Sequence, residues 1–96
     1  MAVTSAQVTV TTSATALTAT ETDTVGGTKV YVRNSQATAS DAVALGASGV
    51  TTGTGFVVPG GSSVGPIELS SGEQLFAIRA TGAALDPVVH VLRTGA

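Results

Sequence analysis

This 96-residue sequence predicts an all-β fold, a small antiparallel β-sandwich or Greek-key barrel of about eight short strands. Three observations lead there. Short β-branched runs are cut about every 8–12 residues by Gly, Ser, Asp or Pro. Threonine supplies 16 residues, and its branched Cβ suits a pleated, half-exposed strand surface. No stretch of about ten residues carries a helical period, so helix content is expected near zero.

Taken in order, Gln7 to Thr11 alternates around Val8 and Val10 and reads as the first strand, with Ala14 to Ala19 a weaker continuation through Leu17. Residues 1–6 precede it as an extended N-terminal arm or, equally, a frayed terminus; the uncharged segment Ala2 to Ala6 has the composition to lie across a neighbour or add a strand to its sheet. Thr20 to Thr28 reads as a loop ending in Val25-Gly26-Gly27, where paired glycines allow a tight reversal. Lys29 to Asn34 is the clearest strand, with Val30 and Val32 on one face and Lys29, Tyr31 and Arg33 on the other.

Asn34 to Asp41 reads as a turn or loop, and Ala42 to Leu45 as a short strand stopped by Gly46. The Ala-rich stretch Thr38 to Ala47 is the one candidate for a helical turn. Three glycines before Phe56 in Gly49 to Gly61 predict a bent or bulged strand. Val64 to Leu69 contains Pro66, which has no N–H for a ladder, so it is expected at an edge or broken. After a turn at Ser70-Ser71-Gly72-Glu73, Gln74 to Ala80 and Pro87 to Arg93 are the last and most apolar strands, joined through Thr81 to Asp86. Val30, Val32, Phe56, Leu75, Ala77, Val89 and Val91 are expected in the core, with Phe76 and Ile78 as alternatives to Leu75 and Ala77. If Phe56 is core, its truncation to Ala should cost about 3–5 kcal/mol.

Length and composition point to a single domain over residues 1–96, with one thin core. Charged residues make up 10%, against about 25% in a typical soluble domain, and mean hydropathy is +0.42. Such a surface fits a subunit partly covered in an assembly, the alternative being a monomer kept soluble by its hydroxyls. Net charge is -2, and with only Lys29, Arg33, Arg79 and Arg93 as cations no basic stripe is available for nucleic acid. No apolar run approaches the roughly 18 residues of a membrane span, and the first residues lack a secretory pattern, so a soluble chain made in the cytosol is expected. Without cysteine there is no disulfide framework and no thiolate metal site.

Chemistry is sparsely signalled. Gly49 to Gly61 contains neither GxGxxG opening a helix nor GxxxxGK[ST], which favours turns and bulges over a phosphate loop. His90 has no second His or Cys, so it reads as a structural or interface residue. Glu21, Asp23, Asp41, Glu68, Glu73 and Asp86 form no acid/base pair and mostly fall at predicted turns, Asp86 as the turn initiator before Pro87. No serine stands in GxSxG. No catalytic residue, cofactor site or metal site is assigned, and no enzyme activity is expected.

From Val30 onward the order of features resembles small virion proteins of tailed phages, especially those infecting actinobacteria, of the head decoration type. The residues that carry the resemblance are Val30-Tyr31-Val32-Arg33-Asn34, Val50-Thr51-Thr52-Gly53-Thr54-Gly55-Phe56, the Pro59-Gly60 turn, Ser71-Gly72-Glu73-Gln74-Leu75-Phe76-Ala77 and Val89-His90-Val91-Leu92-Arg93. They span about two thirds of the chain. Such relatives often have Tyr after the leucine, where this chain has Phe76, and the first 28 residues match none of them. The resemblance implies a capsid decoration, or cement, protein that binds the outside of the phage head, bridges major capsid protein subunits and stabilises the shell. A homo-oligomer is then expected, a trimer at local three-fold positions being favoured because cyclic closure protects sheet edges. Two alternatives stand beside it: another virion β-module, such as a head fibre, a tail part or a host-surface glycan-binding domain, which usually shows exposed aromatics where this chain has only Tyr31, Phe56 and Phe76, and a cytosolic or secreted binding domain unrelated to phage.

Overall fold

The computed structural model describes residues 3–17, 28–69, 73–81, 83 and 85–95. They form eight strands and no helix: β1 (Val3–Thr9), β2 (Thr15–Ala16), β3 (Thr28–Asn34), β4 (Val43–Gly46), β5 (Phe56–Val58), β6 (Ser63–Leu69), β7 (Phe76–Arg79) and β8 (Val88–Gly95). A first sheet has the order β1-β8-β3-β6 and a second the order β2-β7-β4-β5, with every pairing antiparallel. The first strand thus pairs with the last, the second with the seventh, the third with the sixth and the fourth with the fifth. This is a long hairpin folded at the β4–β5 loop and rolled into two facing sheets, the eight-stranded jelly-roll form of the expected sandwich.

Alternation decides which side chains meet between the sheets. β3 follows it along its whole length, with Thr28, Val30, Val32 and Asn34 buried and Lys29, Tyr31 and Arg33 exposed. Val89 and Val91 of β8 lie opposite Asn34 and Val32 and join Val10, Leu17, Val43, Leu45, Val58, Leu69, Leu75 and Ala77 in one core. Six of the seven expected core residues are buried there. Leu75 and Ala77, rather than the half-buried Phe76 and Ile78, take the inward positions.

Phe56 is the correction. It is 64% exposed although its register partner, Leu45, is buried. Phe56 opens the outermost strand of the second sheet, where an inward register is not enough: the first sheet must also reach over the ring, and Phe56 is not among the side chains packed on the core.

A second correction concerns the N-terminus. β1 begins at Val3, four residues before the expected start at Gln7, and is laddered to β8 from Val3↔Thr94 to Thr9↔Val88. Residues 3–6 are therefore part of the sheet and not a free arm; residues 1–2 lie outside the described residues. β2 is limited to Thr15–Ala16, with residues 18 and 19 of the expected strand outside the described set. So too are most of the loop expected at Thr20 to Thr28, including Glu21 and Asp23, and Ser70 to Gly72 of the expected turn. The Thr38 to Ala47 candidate for a helical turn forms bends and turns to residue 41 and then β4. β6 is an edge strand, as Pro66 requires, and its pairing with β3 shifts register between Val30 and Val32.

The glycine-rich segment turns back over the second sheet. Ala44 faces away from the core yet is fully buried, because residues 47–55 fold across it and bury Val50 as well. A Cβ at Gly55 would stand 2.5 Å from the Ala44 Cβ and 2.9 Å from Val50 Cγ2, so only glycine permits this approach.

The sheets are also tied by one buried amide. Asn34 Nδ2 donates to the carbonyl oxygens of Asp41 at 2.9 Å and Val58 at 3.1 Å, and Asn34 Oδ1 accepts from the Gln36 N–H at 3.1 Å. β3 of the first sheet is thereby bonded to β5 of the second and to the loop between β3 and β4, with the side chain's polar capacity largely used.

Candidate functional site

The outward face of the first sheet gathers most of the free functional groups. Cross-strand register arranges them in rows: Gln7, His90, Arg33 and Ser63 in one, Ser5, Leu92 and Tyr31 in the next, and Val3, Thr94, Lys29 and Glu68 in the third. Alternation makes this possible, since the valines of β3 and β8 turn inward and send Tyr31, Arg33, His90 and Leu92 to the other side.

Tyr31 and Leu92 lie opposite one another at the centre, each 40% exposed. Beside them β6 supplies Gly65, whose φ of +146° suits glycine and whose missing Cβ leaves room for the tyrosine. A Cβ there would meet Tyr31 Cδ2 at 2.8 Å and its Cα at 3.0 Å. The result is an open groove of about 580 Å³ across the four strands, in which Tyr31, Arg33, His90, Gln7 and Ser63 present polar groups around an apolar floor.

Charge is unevenly placed. Arg79 is bonded to Asp86 at 2.9 Å and to the Ala83 carbonyl at 2.6 Å, and Arg93 points inward opposite Val30. Lys29 and Arg33 remain on the outer face, where Glu68 is the register partner of Lys29 and no carboxylate shares the row of Arg33 and His90. The side chains of Arg33 and His90 make no hydrogen bond or ion pair among the described residues. The face can therefore engage a partner by stacking on Tyr31, apolar contact with Leu92 and donation from Arg33, His90 and Gln7.

His90, read from the sequence as structural or interfacial, is a half-buried member of this face. The described carboxylates are scattered. Asp41 is buried beside the Asn34 amide, Asp86 holds Arg79, Glu68 faces Lys29, and Glu73 is exposed in the segment before β7. No three of His, Asp and Glu gather as metal ligands among the described residues. Phe56 and Val57, 64% and 50% exposed, form a second apolar corner at the edge of the other sheet.

Sequence reasoning identified each outward residue of β3, but not the row it shares with β8 and β1. Its signal was the alternation in Val89 to Arg93, which places His90 and Leu92 together; what it lacked was the pairing of the first strand with the last. Comparison of the chain with family models, with curated proteins and with solved structures finds no match.

Proposed function

We propose that this chain is a non-enzymatic virion structural protein, a decoration protein that sits on the outside of a tailed-phage head and stabilises the shell by binding the major capsid protein. The observation that carries this reading is the outward face of the first sheet: four strands wide, centred on Tyr31 and Leu92, and rimmed by the unpaired Arg33 and His90. A face of that composition suits docking on protein, where aromatics and Arg anchor contacts. The resemblance of residues 30–93 to head-decoration proteins supplies the particular partner. The jelly-roll form is compatible with it, being common to viral capsid and lectin domains, though a fold by itself assigns no function.

A second reading, a tail, fibre or host-surface module that binds glycan, is favoured by the groove itself, where Tyr31 stands beside the hydrogen-bonding side chains of Gln7, Ser63 and His90. Co-sedimentation of the purified protein with heads lacking it separates the two. Saturable binding, weakened at least about tenfold by Tyr31→Ala or Leu92→Ser (about 1.4 kcal/mol) with melting temperature held, is the expected result. Binding to tails or host glycan but not to heads would transfer the proposal to the second reading.

A further inference from the structure

The two edges of the first sheet are built differently. β6 is interrupted by Pro66, shifted in register and charged at Glu68, all features that discourage a further strand from adding. β1 has seven residues, Val-Thr-Ser-Ala-Gln-Val-Thr, with no charge, no proline and no register shift against β8. Among the described residues nothing covers it: Val3, Ser5, Ala6, Gln7 and Thr9 are exposed.

The ladder shows which main-chain groups are free. The Val10 N–H donates to the Pro87 carbonyl at 2.8 Å, so in this antiparallel pair Val8, Ala6 and Thr4 turn their N–H and C=O toward β8. Ser35 and Gln36 occupy the polar groups of Val88, consistent with Thr9, its register partner on β1, facing the other way. Val3, Ser5, Gln7 and Thr9 therefore direct their N–H and C=O groups outward, and no hydrogen bond satisfies them within the described chain.

We infer that this edge is an interface with a second copy of the same chain, β1 pairing antiparallel with β1 about a two-fold axis through Ala6. The strand is self-complementary in that register: Ser5 faces Gln7 of the copy, Val3 faces Thr9, and Thr4 faces Val8. Each outward-directed group then meets an outward-directed group, and the outer faces of both sheets stay on one side, since a shift by one residue would reverse them. No like charges are brought together along the strand. The four-stranded sheets become one continuous sheet, an isologous contact that consumes the unprotected edge. This geometry is two-fold, in place of the three-fold arrangement expected from the sequence, and it does not depend on what the outer face binds.

Ala6 meets its own copy on the axis at a non-hydrogen-bonded position, where Cα atoms lie about 4.5 Å apart, inside the roughly 4.4–6.8 Å that a disulfide spans. Because the chain has no cysteine, Ala6→Cys gives a clean probe. The isolated protein is expected to show twice the chain mass of 9.3 kDa by light scattering. Ala6→Cys is expected to oxidise to a covalent dimer several times faster than Ser48→Cys, in an exposed loop. Ser5→Pro removes only an outward N–H, keeps the β1–β8 ladder, and should halve the mass while retaining the parent's far-UV spectrum. A parent mass of one or three chains, or cross-linking of Ala6→Cys no faster than of Ser48→Cys, would overturn the inference even if Ser5→Pro failed to fold. Head binding is not an input to either measurement, so this interface and the decoration role fail separately.

Discussion

The two sheets share one core but are not equivalent. The first is made of strands of seven, eight, seven and seven residues and keeps its outward face open around Tyr31 and Leu92. The second has strands of two, four, four and three residues, and its outward face is closed at Ala44 by the β4–β5 loop. Short strands cannot hold a wide surface flat, and they gain stability by being covered from both sides; the long strands can leave one side free for a partner. On the proposed reading, the first sheet offers the docking face and the second supports it.

The contrast is broken most severely at the bond joining the sheets. Asn34→Ala would leave the buried carbonyls of Asp41 and Val58 without their donor and the Gln36 N–H without its acceptor. At about 1–3 kcal/mol for each group left unsatisfied, a loss of about 3 kcal/mol or more is expected in denaturant titration; a loss below about 1 kcal/mol would show that water replaces the amide and that the tie is dispensable. Gly55→Ala tests the cover on the second sheet. Its new methyl would collide with Ala44 and Val50, so a loss of about 1–3 kcal/mol is expected, read as a lowered melting temperature. An unchanged melting temperature would mean the loop lifts without consequence and the two outward faces are alike. The smallest effect belongs to Phe56→Ala, which should change stability by no more than about 0.5 kcal/mol because the ring is already in solvent. A cost in the 3–5 kcal/mol range expected of a core aromatic would return Phe56 to the interior and extend the core to the edge strand.

How much of this was legible in the sequence depends on the range over which each residue's environment is decided. The alternation of Lys29 to Asn34 made Val30 and Val32 inward and Tyr31 and Arg33 outward, because side-chain direction in a strand repeats every two residues whatever lies beyond it. Pro66 marked an edge for an equally local reason, its missing N–H. Those signals determined an all-β chain, most of the core and the outward residues of β3. Asn34 was legible as the polar end of a strand but not as a buried residue, and Phe56 was expected in the core but is exposed; both differences have the same reason. Burial at a strand end or sheet edge is conferred by other segments: Val58 and Asp41 close over Asn34, while none of the described residues closes over Phe56. The pairing of the first strand with the last, which brings Gln7 and Ser5 beside His90 and Leu92 and leaves one edge of β1 unpartnered among the described residues, was likewise decided only in the tertiary structure. A period of two tells which way a side chain points, but not which strand lies beside it.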